Sequence, residues 1–440
     1  MKLGGWGRYP LLEAAVSAPR DEAALAAQLA RGPAIARGNG RAYGDSAVSP
    51  QNTLHMRHFD RLLAFDEASG RLEAEAGVLL ADVVAVFLPR GWFPAVTPGT
   101  KFVTLGGMIA ADVHGKNHHR DGSLGRFVDW IDVMDAEGRV RRCSRGCNAE
   151  LFAWTLGGMG LTGIVLRAGL RLRRVETGWI RVTTLPAPDL EAAMAAFEAA
   201  GEAAYSVAWI DCLAGGERLG RALVMLGEHA GPEELGPRQR RDRFALGRRR
   251  RLTVPLDAPS CLLSGPAVRA FNRLYYRRGA RRTAPQLVGW DSYFYPLDSL
   301  VGWNRLYGRR GLLQFQCVLP LATAAAGLRA LLGATAQAGR GSFLAVLKRF
   351  GAQPGRISFP MPGYSLAMDF PVSGGSLTLM RELDRIAVAH GGRFYLAKDA
   401  RMTAETLAAS DGRMAALAQM RRESGLHPAF QSAQSRRLSL

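Results

Sequence analysis

The chain has 440 residues, 48% of them hydrophobic, and 57 lysines and arginines against 38 aspartates and glutamates give a formal net charge of +19. That length is too long for one ordinary core and sufficient for two, and the hydrophobic content supports burial in both. No run of eighteen or more apolar residues occurs and the N-terminus MKLGGWGRYP lacks a charged-then-apolar pattern, so neither a spanning helix nor a secretory signal is expected, and the expected location is the cytoplasm, with peripheral contact at the inner face of the plasma membrane.

In chain order, helical spacing with an acidic first turn predicts a helix over 22–30, and 33–37 leads apolar residues as a strand into ARGNGRAYGDS at 36–46. Short alternating strands follow at 54–56, 62–65 and 71–78, a helical period at 80–90, and a turn at Gly91 to Pro94. A second glycine-rich stretch, VTPGTKFVTLGGMIAADVHGKNHH, fills 96–119. Strands are predicted at 130–134, 139–143 and 163–174, and Gly157, Gly158 and Gly160 mark a close backbone approach. From 177 the pattern changes to a strand at 179–184, a helix at 189–200 and a strand at 205–212, then strands at 312–319, 343–350 and 364–370, rich in aromatic and branched residues. The expected class is α+β, with antiparallel pairing and helices on one face in the second part. The expected division is a first domain at 1–176, a second at 177–392, and a segment at 393–440 that returns to the first.

The cysteines Cys143, Cys147, Cys212, Cys261 and Cys317 are odd in number and scattered, which fits reduced thiols better than a disulfide framework. Cys143 and Cys147 lack the second pair or histidine cluster of a zinc site, so no metal is expected. Basic residues concentrate at 237–251 and 277–282. Two readings stand: a solvated loop, or an electropositive rim for anionic lipid headgroups or a phosphate-bearing substrate.

Gly38, Gly40 and Gly44 are spaced for a tight loop whose N–H groups converge on one concavity, and such a nest holds a pyrophosphate. Together the two glycine stretches are what a flavin needs to be gripped through backbone amides. No amphipathic helix follows the first loop and no acidic residue stands where a strand-helix-strand dinucleotide unit requires one, so a different nucleotide-binding fold is expected.

With these stretches, GGMGLTGIV at 157–165, VAWIDC at 207–212, GEHA at 227–230, YPLD at 295–298, WNRLYG at 303–308 and YLAKDARMTAET at 395–406, the chain resembles the decaprenylphosphoryl-β-D-ribose 2-oxidase family over nearly its whole length. That family belongs to the vanillyl-alcohol-oxidase superfamily. The resemblance implies a two-domain fold, with a PCMH-type FAD-binding domain and a substrate domain of antiparallel sheet and helices. It also implies noncovalent FAD. Ala36, Arg37, Gly38, Asn39, Gly40 and Arg41, followed by Ala42, Tyr43, Gly44, Asp45 and Ser46, would wrap the pyrophosphate. Gly99, Thr104, Leu105, Gly106 and Gly107 would continue the cradle. His114, Gly115, Lys116 and Asn117 would lie along the isoalloxazine, and Ile164 and Tyr395 would complete the site. Where some relatives link the flavin to a histidine, this chain has Tyr43.

Lys398 is the leading catalytic candidate, since a cation near flavin and substrate orients a hydroxyl or stabilises developing negative charge; the alternative is a surface lysine after a strand. Lys116 is assigned near the ring or the substrate phosphate, and Lys348 likewise, each with an ordinary ion pair as its alternative. Gln316 is the candidate for sugar hydroxyls. Gln314 and Gln316 are expected on opposite faces of their strand, so that only one serves the flavin side. Tyr43, Gln314, Lys348 and Tyr295 are the substrate-side candidates, and Trp209 and His118 are further cavity residues or ordinary core. The chain departs from the mycobacterial form of the family at Ser365, in place of an asparagine, and at Ala367, in place of an active-site cysteine.

The implied reaction oxidises the C2 hydroxyl of a polyprenyl-phosphoryl-β-D-ribofuranose to a 2-keto sugar, which an NAD(P)H-dependent reductase partner would convert to the arabinose form, an arabinan precursor for cell wall biosynthesis. The alternative is a soluble alditol or aldonolactone oxidase of the same superfamily. A basic nucleic-acid binder is disfavoured because no recognition-helix, zinc-finger or RNA-binding motif occurs.

Overall fold

Asp21 accepts a hydrogen bond from the Ala24 amide and starts the helix Glu22–Leu29, which buries Leu25 and Leu29. The chain then enters the strand Ile35–Arg37, paired in parallel with Thr53–His55, which also pairs with Val16–Ser17. This small sheet delivers the first glycine loop. The structure, a computed structural model, describes residues 1–247, 251–259, 263–282, 284–341 and 344–440.

A six-stranded antiparallel sheet comes next, in the order Val140–Ser144, Val128–Met134, Ile164–Arg174, Arg71–Glu75 and Leu62–Asp66, with Trp92–Pro94 on the far end of Ile164–Arg174. Its apolar side closes a core with Val83, Val84 and Phe87 of the helix Leu80–Phe87 and with Met108 and Ile109 of the helix Leu105–Ala110. The class is α+β.

The largest sheet has eight antiparallel strands: Gln286–Gly289, Trp179–Ala187, Ala222–His229, Tyr205–Ile210, Ala345–Phe350, Gly363–Pro371, Leu312–Pro320 and Arg393–Phe394. Side chains alternate across it. Phe315, Cys317, Leu347, Leu366 and Met368 enter the main core with the helices Leu190–Ala199, Leu321–Ala338 and Gly374–Ala389. The other face carries Gln314, Gln316, Lys348, Ser365, Ala367 and Asp369, in registers that set Gln314 opposite Asp369, Gln316 opposite Ala367, and Lys348 opposite Ser365. Gln314 and Gln316 therefore share a face. The expectation that they point oppositely is wrong, because residues two apart in a strand return to the same side.

The last segment packs on the first. The Ala34 amide donates to Ala429 O at 2.8 Å and Gln431 N–H to Ala34 O at 2.9 Å. The buried Arg421 donates to Leu161 O at 3.0 Å and also to Phe430 O.

Residues 277–280 are not loop: they form the last turn of the helix Gly265–Ala280. In the other basic run, 237–240 form a helical turn, while 248–250 lie outside the described residues, as do Cys261 and Phe343.

Candidate active site

The first loop is fixed by what its glycines touch. A Cβ on Gly38 would overlap Thr104 Oγ1 of the second glycine stretch, and one on Gly44 would overlap Asp399 O beside Lys398. Gly40 adopts φ +61°, a conformation that favours glycine. Tyr43 N–H donates to Ala397 O at 2.9 Å, and Trp6 N–H to Ala42 O at 2.8 Å. Among the described residues no protein acceptor is found for the amides of Gly38 to Ala42, which leaves a row of donors for an anion. Arg41 stacks over the Trp6 ring at 4.2 Å. The residues present fit the pyrophosphate of a flavin nucleotide.

In the second stretch Thr104 caps the helix Leu105–Ala110 by accepting from Gly107 N–H at 3.2 Å. The Leu105 and Gly106 amides are committed to Val78 O at 2.9 Å and Ala76 O at 2.7 Å. Those residues bring the backbone close without offering amides. Gly99 faces open space. Ile164 is wholly buried, clustered with Leu54, Leu166 and Phe430.

Next, Asp112 holds φ +37° and is buried. It accepts from Gly125 N–H at 2.7 Å, from Ser123 Oγ at 2.5 Å and from Ser358 Oγ. Gln353 joins the same group and accepts from Ser123 N–H at 2.7 Å while meeting His118 Nε2 at 3.0 Å. Asp112 thus clamps residues 353–358 against the segment carrying His114. Sequence reasoning missed it, since its partners lie up to 246 positions away.

His114 is enclosed by Phe350, Phe359 and Tyr395, with ring centroids 4.8, 5.6 and 5.0 Å away. Gln316 Nε2 meets His114 Nε2 at 3.1 Å, and also donates to Ser365 Oγ at 3.3 Å. The amide donor assigns Nε2 as acceptor and the proton to Nδ1, which is buried without a protein partner. Burial, then the charges of Lys348, His118 and Lys398, hold the imidazole neutral by lowering its pKa well below the usual value. An unpartnered N–H in that position fits a flavin heteroatom. Tyr395 donates to Ala111 O at 3.0 Å.

Lys398 stands with its ammonium 3.7 Å from the centroid of the Tyr43 ring. Gln314 Nε2 donates to Asp369 Oδ1 on the neighbouring strand. Burial lowers the Lys398 pKa; Asp369 opposes that shift and Lys348 adds to it. Burial raises the Asp369 carboxyl, opposed by Gln314, Lys398 and the Tyr307 hydroxyl. Burial thus favours the neutral amine of Lys398, and Asp369 the charged one. Asp369 was also missed, although Ser365, Ala367 and Asp369 alternate within an apolar run and so mark a polar strand face.

Lys348 is brought down to about 8 by burial, and Lys116 to about 7 by burial and then by Lys348. Lys116 turns toward another cluster: it donates to Tyr293 O and lies 3.9 Å from the Tyr293 ring centroid. Tyr295, wholly buried, packs with Trp290 and Phe294 beside Lys101. The structure thus gathers Tyr43, Gln314, Gln316, His114, Lys348 and Lys398, and sets Tyr295 and the Lys116 ammonium in the adjoining aromatic cluster.

Arg437 joins both ends of this site. It donates to Asp45 Oδ1 at 2.7 Å in the first loop and to Asp399 Oδ2 at 2.8 Å beside Lys398.

Comparison with known proteins points to the same cofactor. A family profile described as an FAD binding domain matches residues 14–144. Decaprenylphosphoryl-beta-D-ribose oxidase of Mycolicibacterium smegmatis is 35% identical over 453 aligned positions, covering 100% of this chain and 97% of that protein. An uncharacterized protein of Streptomyces coelicolor is 36% identical over 75% of this chain and 91% of its own length. L-gulonolactone oxidase of Mus musculus is 28% identical over 30% of each chain.

Proposed function

The chain belongs to the decaprenylphosphoryl-β-D-ribose oxidase family, and on that premise we propose that it oxidises the C2 hydroxyl of a polyprenyl-phosphoryl-β-D-ribofuranose to the 2-keto sugar. It is an FAD-dependent oxidoreductase. The observation that carries the substrate is the full-length match, which takes in the sheet face of Gln314, Gln316 and Lys348 as well as the glycine loops; the likeness to L-gulonolactone oxidase is confined to 30% of the chain.

FAD, when bound, supplies the acceptor for the hydride that leaves C2. The chain's part is to hold the cofactor, with the amides of Gly38 to Ala42 on its pyrophosphate and His114 Nδ1–H toward its ring. Lys398, its pKa lowered by burial, takes the proton of the C2 hydroxyl as the carbon-bound hydrogen departs. Asp369 and Gln314 hold the polar edge beside it, and Gln316, with both amide hydrogens engaged by His114 and Ser365, accepts a sugar hydroxyl through Oε1. Lys348 faces the substrate phosphate from the next strand. Tyr43 forms the floor beneath the lysine.

In this reading residues 1–176 form the PCMH-type FAD domain, 177–392 the substrate domain, and 393–440 a return segment that carries Tyr395 and Lys398 back to the first. The 2-keto product has an unreduced carbonyl, so a separate NAD(P)H-dependent reductase completes an epimerisation to the arabinose form. The lipid substrate places the enzyme at a membrane surface. No helix among the described residues is long and apolar enough to cross a membrane.

Anaerobic addition of a polyprenyl-phosphoryl ribose to the yellow protein is expected to bleach the flavin band. A band that stays oxidised with that lipid but bleaches with alditols or aldonolactones would overturn the reading.

A further inference from the structure

The helix Gly265–Ala280 buries Val268 and Asn272, turns Leu274 outward with 68% exposure, and leaves Phe271 and Tyr275 half-exposed at its edge, at 43% and 42%. Positions 271, 274 and 275 form one strip at helical spacing. Arg269, Arg273 and Arg277 recur every fourth residue along its flank, and Arg278, Arg281 and Arg282 crowd its C-terminal end. Residues 263–282 contain no aspartate or glutamate. None of the six arginines forms an ion pair among the described residues. An apolar outer strip beside uncompensated arginines is the make-up of a helix that lies in the plane of an anionic lipid interface.

The helix also has a fixed relation to the site. Its Tyr275 ring packs 4.7 Å from the ring of Trp209, and Phe271 stacks on Tyr275 at 5.8 Å. Trp209 pairs with Val346, Val346 with Ala367, and Ala367 with Gln316, so the four side chains stand on one sheet face. Three strand spacings separate Gln316 from Trp209, roughly 14 Å. A chain attached to a sugar held at Gln316 reaches the helix along this row of alanine, valine and tryptophan.

We propose that the outward face of Gly265–Ala280 is the surface by which the protein lies on an anionic bilayer, and that the row from Gln316 to Trp209 is the line along which the substrate's lipid chain runs to it. This rests on the polyprenyl reading above and adds to it the docking surface. The outward leucine and half-exposed phenylalanine favour a bilayer over nucleic acid, whose phosphates would use the arginines but leave Leu274 in water.

The test is co-sedimentation of the FAD-loaded full chain with phosphatidylcholine vesicles, with and without phosphatidylglycerol, for wild type, Leu274→Glu and Arg273→Gln/Arg277→Gln. Wild type is expected to sediment with the anionic vesicles, Leu274→Glu to stay in solution, and each arginine removed to weaken partitioning about fivefold at low salt. Flavin content and flavin reduction by a short-chain, water-soluble polyprenyl-phosphoryl ribose are expected unchanged in all three, since the substituted residues are exposed. Equal sedimentation of wild type and Leu274→Glu, or equal affinity for neutral and anionic vesicles, overturns the docking surface even where the flavin bleaches. Binding to duplex DNA that Leu274→Glu leaves intact, with no vesicle binding, also overturns it. Vesicle binding without bleaching by the short-chain substrate keeps the surface and sinks the substrate reading instead.

Discussion

Lys398 and Tyr43, 355 positions apart in the sequence, meet with the ammonium 3.7 Å from the ring centroid. The ring face attracts the ammonium and Asp369 also favours it, but burial is the larger effect. Burial therefore sets the lysine's pKa low. Lys398→Ala is expected to retain FAD and to slow flavin reduction by substrate about 10²- to 10⁴-fold, the range for a positioned acid or base. With the neutral amine as the base of the proposed mechanism, the wild-type reduction rate should rise with pH through the lowered pKa and then level off. Anaerobic stopped-flow spectra across pH measure both.

Gly38→Ala places a methyl group on Thr104 Oγ1. The expected result is a colourless protein of near-normal fold, read as the FAD content of the purified variant. Adding Thr104→Ala removes the oxygen and part of the overlap, and should restore some of the colour; Thr104→Ser keeps the oxygen and should restore none.

Asp112→Ala leaves the donors of Gly125, Ser123 and Ser358 facing a buried gap. A loss of about 3–5 kcal/mol is expected, as for other broken buried polar networks, measured by urea unfolding of the apoprotein. Asp112→Asn keeps an acceptor and should cost less.

Lys116 has a folded pKa of about 7 against an ordinary value of 10.5. Between these pH values the unfolded chain binds the proton and the folded one does not, so stability rises with pH from about 7 toward 10; below 7 the whole cost of burying the charge remains. Lys116→Met removes this term. Relative to the variant, the wild type should gain about 2 kcal/mol of apoprotein stability from pH 7 to pH 9, and urea midpoints at the two pH values test it.

Ala367 stands between Ser365 and Asp369 on the site face, opposite Gln316. A covalent inhibitor that captures a thiol at this position should fail on the wild type and label Ala367→Cys in equal molar amount, as intact mass would show. Cys317 will not substitute, since it is buried on the opposite face with its pKa raised by burial.

The first glycine loop was legible because close-set glycines are a local pattern, with a positive φ at Gly40 among them; the Lys398 segment was read only through its resemblance to a known family. Asp112 and Asp369 were not, because a carboxylate becomes a clamp only through partners distant in sequence. The helix Gly265–Ala280 escaped for another reason. It buries an asparagine and exposes a phenylalanine, a leucine and a tyrosine, so its apolar pattern does not follow burial. The shared face of Gln314 and Gln316 followed from strand periodicity alone and was misread.

The bridge from Arg437 to Asp45 and Asp399 sets an order of events during synthesis. The loop of Asp45 emerges from the ribosome nearly four hundred residues before the arginine that ties it to the Lys398 segment. The cofactor pocket thus becomes complete only once Arg437 has been made, and a nascent chain stalled before it carries the glycine loop with its final fastening still missing.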